Sequence, residues 1–388
     1  MITNQEKLFD LPAGKHYLNC AYMSPLARKV AAAGVKGILR KQHPWEIPPS
    51  EFFRASDDLR RAFNTLLQGG GGDHTNVCII PSVSYGMATV ARNLRPKRHA
   101  RIITTAGQFP SNVYPWQQTG ARVEQIAPPT DLRDRGRFWN ERIQEAIRPG
   151  TLAVAIGHVH WADGTRFDLE AIRKETQRVG ALLIVDGTQS IGAMPFDFKR
   201  MAPDALVCAG YKWLMGPYSI GLAWYGDYFK DGSPVEENWI AREGSEDFRT
   251  LTGYRSTYQP GMLRYDMGER SNFILVPMML EALNMVNGWR ALRIQEYCRH
   301  IASDALKRLR STGWWVEDES NRGHHLFGLL APPGQVAQDW QKALVRAGIS
   351  VSYRGDFIRV SPHVYNSKTQ LDRLAEVLTK SPSTRIRG

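Results

Sequence analysis

ALLIVDGTQS, residues 181–190, decides how this chain folds. Five apolar residues run without alternation, and then come an aspartate, a glycine and small polar residues. An unbroken apolar run of this length reads as a strand covered on both faces, the habit of parallel sheets. Asp186 is then carried at the carboxyl-terminal edge of the sheet. Immediately upstream, DLEAIRKETQRVG (168–180) has Leu169, Ile172, Thr176 and Val179 at helical spacing, Asp168 placed to cap the start and Gly180 to close the end. Strand and helix together predict a unit of an α/β sheet.

Working outward, six more segments read as strands: VCII (77–80), RIITT (101–105), RVEQI (122–126), TLAVAI (151–156), ALVCA (205–209) and IGLAWY (220–225). Helical patterns fill most of the gaps, so a mostly parallel seven-stranded sheet is expected, with ligands at the carboxyl ends of its strands. The pattern changes after about residue 275. A long helical region (273–311, with a break near Asn287-Gly288) leads to strand HHLFGLL (324–330), helix VAQDWQKALVRAG (336–348), strand FIRVS (357–361) and a last helix. That helix opens with the capping-box pair Ser367 and Gln370. The expected organisation is an N-terminal segment (1–45), a large domain (46–275) and a smaller C-terminal α/β domain (276–388).

Composition narrows the class. No stretch reaches the ~18 uninterrupted apolar residues of a membrane span. MITNQEKLFD lacks the basic start and apolar run of a secretory signal, and the four cysteines contain no CxxC pair. The expectation is a cytoplasmic chain with free thiols. The formal charge of +12 raises nucleic acid as a partner. The densest basic cluster, RPKRHAR (95–101), has no interleaved aromatics, however, and no zinc-finger or RNA-binding signature accompanies it.

Three features fall at strand ends. Asp186 is the first, and desolvation there calls for a cationic partner. Lys212 in YKWLMGPYSIG (211–221) is the second, set between Tyr211 and Trp213 just past ALVCA. Aromatic neighbours and a nearby cation disfavour its ammonium form and favour a nucleophilic amine. The third is IIPSVSYGMATVARNL (79–94), where a strand runs through Ser82 and Ser84 into a helix start, an anion site without the Walker pattern. A phosphate seat, a carboxylate and an activated lysine are the three requirements of pyridoxal 5′-phosphate.

On these residues, and most of all on VDGTQSIGAMPFD and CAGYKWLMGPYSIG, the chain resembles the class V aminotransferase group of fold-type I pyridoxal-phosphate enzymes. That group includes cysteine desulfurases, kynureninase and isopenicillin N epimerase. The resemblance implies Lys212 as the Schiff-base lysine, Asp186 as partner of the pyridine nitrogen, and Gln189 as hydrogen bond to the 3′-oxygen. It further implies Val83, Ser84 and Tyr211 at the phosphate, and Phe109 stacked on the ring with Asn112 nearby. YLNCAYMSPL (17–26) would bring Ala21 and Tyr22 to the substrate, and IRVSPHVYN (358–366) would supply Arg359 for its carboxylate. RYDMGERSN (264–272) resembles the segment that reaches a partner's phosphate in a homodimer, through Ser271 or Asn272; Gly268-Glu269 stands where the family often has Gly-Thr.

The departures bear on the reaction. Desulfurases of the group carry a nucleophilic cysteine on a late loop, and residues 299–388 contain none. Gln189 stands where kynureninases usually have histidine, although Phe109, Tyr211 and YRGDFIR (353–359) look kynureninase-like. His158 and His160, two apart on a predicted strand, lack the further ligands of a metal site. The expected activity is pyridoxal-phosphate chemistry on an α-amino acid or related amine, by transamination or β-lyase chemistry. Epimerisation and carbon–carbon chemistry are the enzymatic alternatives, and a regulatory or nucleic-acid-binding role is the other.

Overall fold

The computed structural model describes residues 2–380. In chain order its strands are β1 (His16–Tyr17), β2 (Val77–Ile80), β3 (Arg101–Thr105), β4 (Arg122–Ile126), β5 (Thr151–Gly157), β6 (Leu182–Asp186), β7 (Ala205–Ala209), β8 (Gly221–Tyr225), β9 (Phe327–Leu330), β10 (Ile349–Ser350), β11 (Ser352–Arg354) and β12 (Phe357–Val360). Strands β2 to β8 form one seven-stranded sheet in the order β2-β8-β7-β6-β5-β3-β4. Only β8 runs against its neighbours, β2 and β7; the rest are parallel.

The unbroken apolar runs have the cause the sequence suggested. Leu183, Val185, Val154 and Ile156 pack into one buried cluster, while Ile184, Ala153 and Ala155 pack into another on the opposite face. Each buried Val, Leu or Ile contributes about 1.5–3 kcal/mol relative to exposure, so neither face tolerates a polar residue until the strand ends. The helix Leu169–Val179 forms as read. Asp168 accepts from the Ala171 amide at 3.0 Å, and Gly180 ends the helix in the left-handed region at φ 71°.

Strands β11, β12 and β9 form a smaller antiparallel sheet, backed by the helices Ala291–Ser311 and Lys368–Thr379. The N-terminal segment is built into this part: Phe9, Leu18, Cys20 and Ala21 share its buried cluster, and β1 pairs with β10. The helix Arg28–Arg40 lies tightly on the helix Leu275–Trp289. A Cβ at Gly34 would sit 2.6 Å from Met278 Sδ, and one at Gly37 would strike the Phe273 carbonyl.

Four local expectations are corrected. The helical region breaks at Arg290 (φ 64°), past Asn287-Gly288, because Asn287 is held in the helix by its 2.9 Å bond to the Ala62 carbonyl. The predicted helix 336–348 opens as the 3₁₀ turn Ala337–Trp340 and is α-helical over Gln341–Arg346. Strand 324–330 starts at Phe327, since His325 is drawn into a 2.8 Å bond with the Gln189 carbonyl. Ser367 makes no side-chain cap: Gln370 is occupied by Asn366 at 2.8 Å, and Asn366 also bonds the Tyr17 carbonyl.

Candidate active site

The carboxyl ends of the parallel strands open on a cavity of about 310 Å³. Eight of the residues singled out in the sequence line it: Ser82, Val83, Ser84, Phe109, Asp186, Gln189, Tyr211 and Lys212. Parallel strands place all their carboxyl ends on one edge, so segments far apart in sequence converge there.

Lys212 is reached through the turn that follows β7. Gly210 and Gly216 are pressed so close to the Ile220 carbonyl and to Met279 that a side chain would collide, and Met215 and Ser219 adopt positive φ. The turn swings Lys212 back over the sheet edge with only 8% of its surface exposed. Its ammonium is pushed down to about 8, first by burial and next by the charge of Arg359, with Asp186 acting in the opposite direction. Its Nζ lies 5.6 Å from the centre of the Phe109 ring and 5.5 Å from that of Tyr211. The two flanking aromatics divide the work. Tyr211 lines the cavity, while Trp213 is fully buried and donates from Nε1 to Gln189 Oε1 at 2.9 Å. That bond occupies the Gln189 oxygen. Its Nε2 donates to the Ala21 carbonyl at 3.4 Å and keeps a second N–H uncommitted.

Asp186 accepts from the Thr188 amide at 3.0 Å. Burial nevertheless pushes its carboxyl above the ordinary range, and neither Thr188 nor Lys212 offsets that. Opposite it, the helix Val83–Asn93 points its start into the cavity. Ser82 caps the Tyr85 amide at 3.2 Å, and the Ser82 and Ser84 hydroxyls lie 2.8 Å apart. First-turn amides have no intrahelical acceptor and carry partial positive charge, which suits an anion.

The segment after Leu18 reaches the cavity rim. The Ala21 amide donates to Ser361 Oγ at 3.0 Å, and the Ser24 amide to the Tyr211 carbonyl at 3.0 Å. Tyr22 stands 55% exposed. Arg359, only 1% exposed, lies behind the cavity wall. It donates from Nη1 to the Trp161 carbonyl at 2.8 Å, and its Nε has no partner. Burial, then the charge of Arg354, pushes Arg359 down to about 9.

Asn112, expected near the ring, does not line this cavity, and Ser271 and Asn272, expected to serve a partner's site, lie away from it as well. Asn112 is buried against Trp116, accepting from its Nε1 at 3.0 Å. Asn272 accepts from the Ile274 and Leu275 amides and so starts a helix, and Ser271 is buried with an unpartnered Oγ. His158 and His160 lie beyond the end of β5 and make packing contacts: His158 edge-on to Phe196, and His160 to Trp139. Burial holds His158 down at about 3. Among the described residues no three His, Cys, Asp or Glu side chains form a metal-holding group.

Trp161 was missed. It lines the cavity, donates from Nε1 to the Gly107 carbonyl at 2.7 Å and meets Phe109 edge-on at 5.4 Å. Its position just past the end of β5 was the available signal.

The residues present fit pyridoxal 5′-phosphate. The helix start suits a phosphate, the under-compensated Asp186 suits a protonated ring nitrogen, and the depressed Lys212 suits a covalent link to the aldehyde. The site and fold therefore define a fold-type I pyridoxal-phosphate enzyme.

The profile of the family described as aminotransferase class-V matches residues 51–374. The uncharacterized aminotransferase YcbU of Bacillus subtilis is 26% identical over 322 residues, 83% of this chain and 82% of its own length. The apo cysteine desulfurase of Thermococcus onnurineus superposes with a TM-score of 0.80 at 20% identity, covering 98% of each chain. The cystine C-S lyase C-DES, solved with its product cysteine persulfide, gives a TM-score of 0.81 at 19% identity, over 95% of this chain and 98% of that one. This chain belongs to the class-V aminotransferase family, and it is a pyridoxal-phosphate-dependent enzyme.

Proposed function

We propose that the protein transforms an α-amino acid by transamination or β-lyase chemistry, with Lys212 as the cofactor anchor and proton carrier and Arg359 as the seat of the substrate carboxylate. The observation that carries this reading is a buried guanidinium that bonds only the Trp161 carbonyl and the Ser352 hydroxyl, with no carboxylate partner, and whose charge acts on Lys212. Arg359 has no carboxylate in ion-pair range among the described residues, and its charge helps to keep Lys212 neutral. A buried unpaired charge is costly, and a substrate carboxylate would relieve that cost.

When bound, pyridoxal phosphate supplies the aldehyde for the covalent link and the electron sink. The chain's own groups do the rest. The start of the Val83–Asn93 helix would hold the phosphate, Asp186 would keep a proton on the ring nitrogen, Gln189 Nε2 would donate to the phenolic oxygen, and Phe109 and Trp161 would cover the ring. Lys212, neutral in a useful fraction near pH 8, takes the proton from the substrate Cα and returns it.

Desulfuration through an enzyme persulfide is disfavoured. Cys20, Cys78, Cys208 and Cys298 are all buried, and burial pushes the Cys20 thiol up to about 12 even though the Lys212 charge acts to lower it. A homodimer accounts for Ser271 and Asn272 lying away from their own cavity, with the 264–272 segment serving a partner's site. The free thiols support a cytoplasmic setting, and no described helix is long and apolar enough to cross a membrane. The deciding experiment is a panel of amino acids incubated with the holoenzyme, with keto acid, ammonia and sulfide measured. Turnover of amines lacking a carboxylate, with none for amino acids, refutes the proposal.

A further inference from the structure

Arg359 is not the only guanidinium here without a carboxylate partner. Ser352 on β11 is the direct partner of Arg359 on β12. Arg354 lies two residues beyond Ser352, so its side chain rises from the same face of the hairpin as that of Arg359. Diagonal neighbours of this kind have backbones about 7–8 Å apart. Trp161 stands between the two. Its carbonyl accepts from Arg359, and the Arg354 guanidinium lies over its ring at 5.5 Å. The indole N–H is fixed on the Gly107 carbonyl, so this divider is held in place.

Arg354 has little else to hold. Its Nη1 donates to the Tyr353 carbonyl at 2.7 Å, and its Nε is buried without a partner. Partial burial lowers its guanidinium, the Tyr22 hydroxyl acts in the opposite direction, and no carboxylate acts on it. Asp356, two residues on, is exposed at the hairpin turn. Both guanidiniums flank Trp161, which lines the cavity, and both depress the Lys212 ammonium, on which Asp186 is the one carboxylate that acts. The phosphate seat does not draw on either arginine, being built from the helix start on the other side. The site thus holds one more cation than the cofactor and an α-carboxylate would use.

We propose that Arg354 is a second anion seat, and that the substrate is an amino acid whose side chain bears a carboxylate. The proposal rests on the assignment of the α-carboxylate to Arg359. Trp161 is the positioning residue between the two seats: it fixes one guanidinium through its carbonyl and the other through its ring. Amide and alkyl side chains of equal length would leave Arg354 without a carboxylate partner, which favours the acidic side chain.

Equilibrium titration of the holoenzyme at fixed ionic strength tests this with succinate and glutarate against propionate and butyrate. Binding is read from the displacement of the visible cofactor band and from the thermal midpoint. In the wild type the dicarboxylates should bind at least about tenfold more tightly. Arg354→Gln should collapse that ratio to about one, Arg354→Lys should recover part of it, and Arg359→Gln should weaken both classes. A ratio near one in the wild type, or one unchanged in Arg354→Gln, overturns the second seat and leaves the Arg359 assignment standing. Binding of both classes untouched by Arg359→Gln overturns the assignment beneath it. Borohydride-fixed cofactor reports whether each variant has folded its site. If Arg354→Gln does not fold, wild-type binding of L-aspartate and L-glutamate against L-asparagine and L-glutamine decides: equal affinities refute the proposal.

Discussion

Burying an ammonium group is costly without a counter-charge, and at Lys212 the surrounding charges conflict. Burial and the Arg359 charge favour the amine, while Asp186 favours the ammonium. The balance sets the group near 8 instead of its ordinary 10.5. Between those values the unfolded chain binds more protons at this residue, so its contribution to stability of the cofactor-free protein rises with pH. The rate at which that protein captures pyridoxal phosphate should likewise rise with pH and level off above about 8. Removing the neighbouring cation in Arg359→Gln should move the inflection to higher pH; an inflection that stays in place or moves down refutes the coupling. Lys212→Ala should retain no borohydride-fixed cofactor.

Asp186 and Arg359 carry two further expectations at this scale. Asp186→Asn keeps the shape but cannot hold the ring-nitrogen proton, so turnover should fall much further than cofactor content, measured by comparing activity at matched occupancy. Arg359→Ala removes charge-assisted bonds of about 1.5–3 kcal/mol each. The affinity for carboxylate substrates should drop at least ~10-fold, while amines without a carboxylate change little. Equal losses for both would assign Arg359 a merely structural role.

Among the elements, the close seat of the helix Arg28–Arg40 on the chain 273–289 depends on two glycines. Gly37→Ala puts a methyl against the Phe273 carbonyl, which belongs to the backbone and cannot turn aside. Overpacking of this kind costs about 1–3 kcal/mol, and a lowered thermal midpoint should report it. Gly288→Ala, where nothing lies within 4 Å, serves as the control. Elements with strictly local signals were legible. The Asp168 cap, the Gly180 stop and all seven strands of the large sheet lie within a residue of their expected bounds. The helix break and the missing capping box were not, because Asn287 and Gln370 are held by Ala62 and Asn366, contacts that no local pattern encodes.

At the scale of the molecule, the four cysteines bear on the reaction as a set. Cys78 donates to the Met262 carbonyl and the others are likewise interior. Changing all four to Ser should leave the single-turnover rate largely intact and lower the thermal midpoint, since buried thiols mostly pack. A persulfide trapped on the protein during turnover, and lost in one of the four single variants, would reinstate desulfurase chemistry. Light scattering should find the active species to be a dimer at working concentration.

The sequence by itself determined that this is a mostly parallel α/β sheet with a lysine, an aspartate and a serine-capped helix start at its strand ends. Unbroken apolar runs, caps and strand-end polar residues are local consequences of burial on both faces and of helix-terminus chemistry. Tertiary structure alone decided which of the expected residues share one cavity, that Trp161 joins them, and that Arg354 and Arg359 meet Trp161 without a carboxylate partner. Those facts depend on distant segments meeting at a sheet edge. Whether a buried charge has a partner is a property of the assembled surroundings, which no spacing along the chain records.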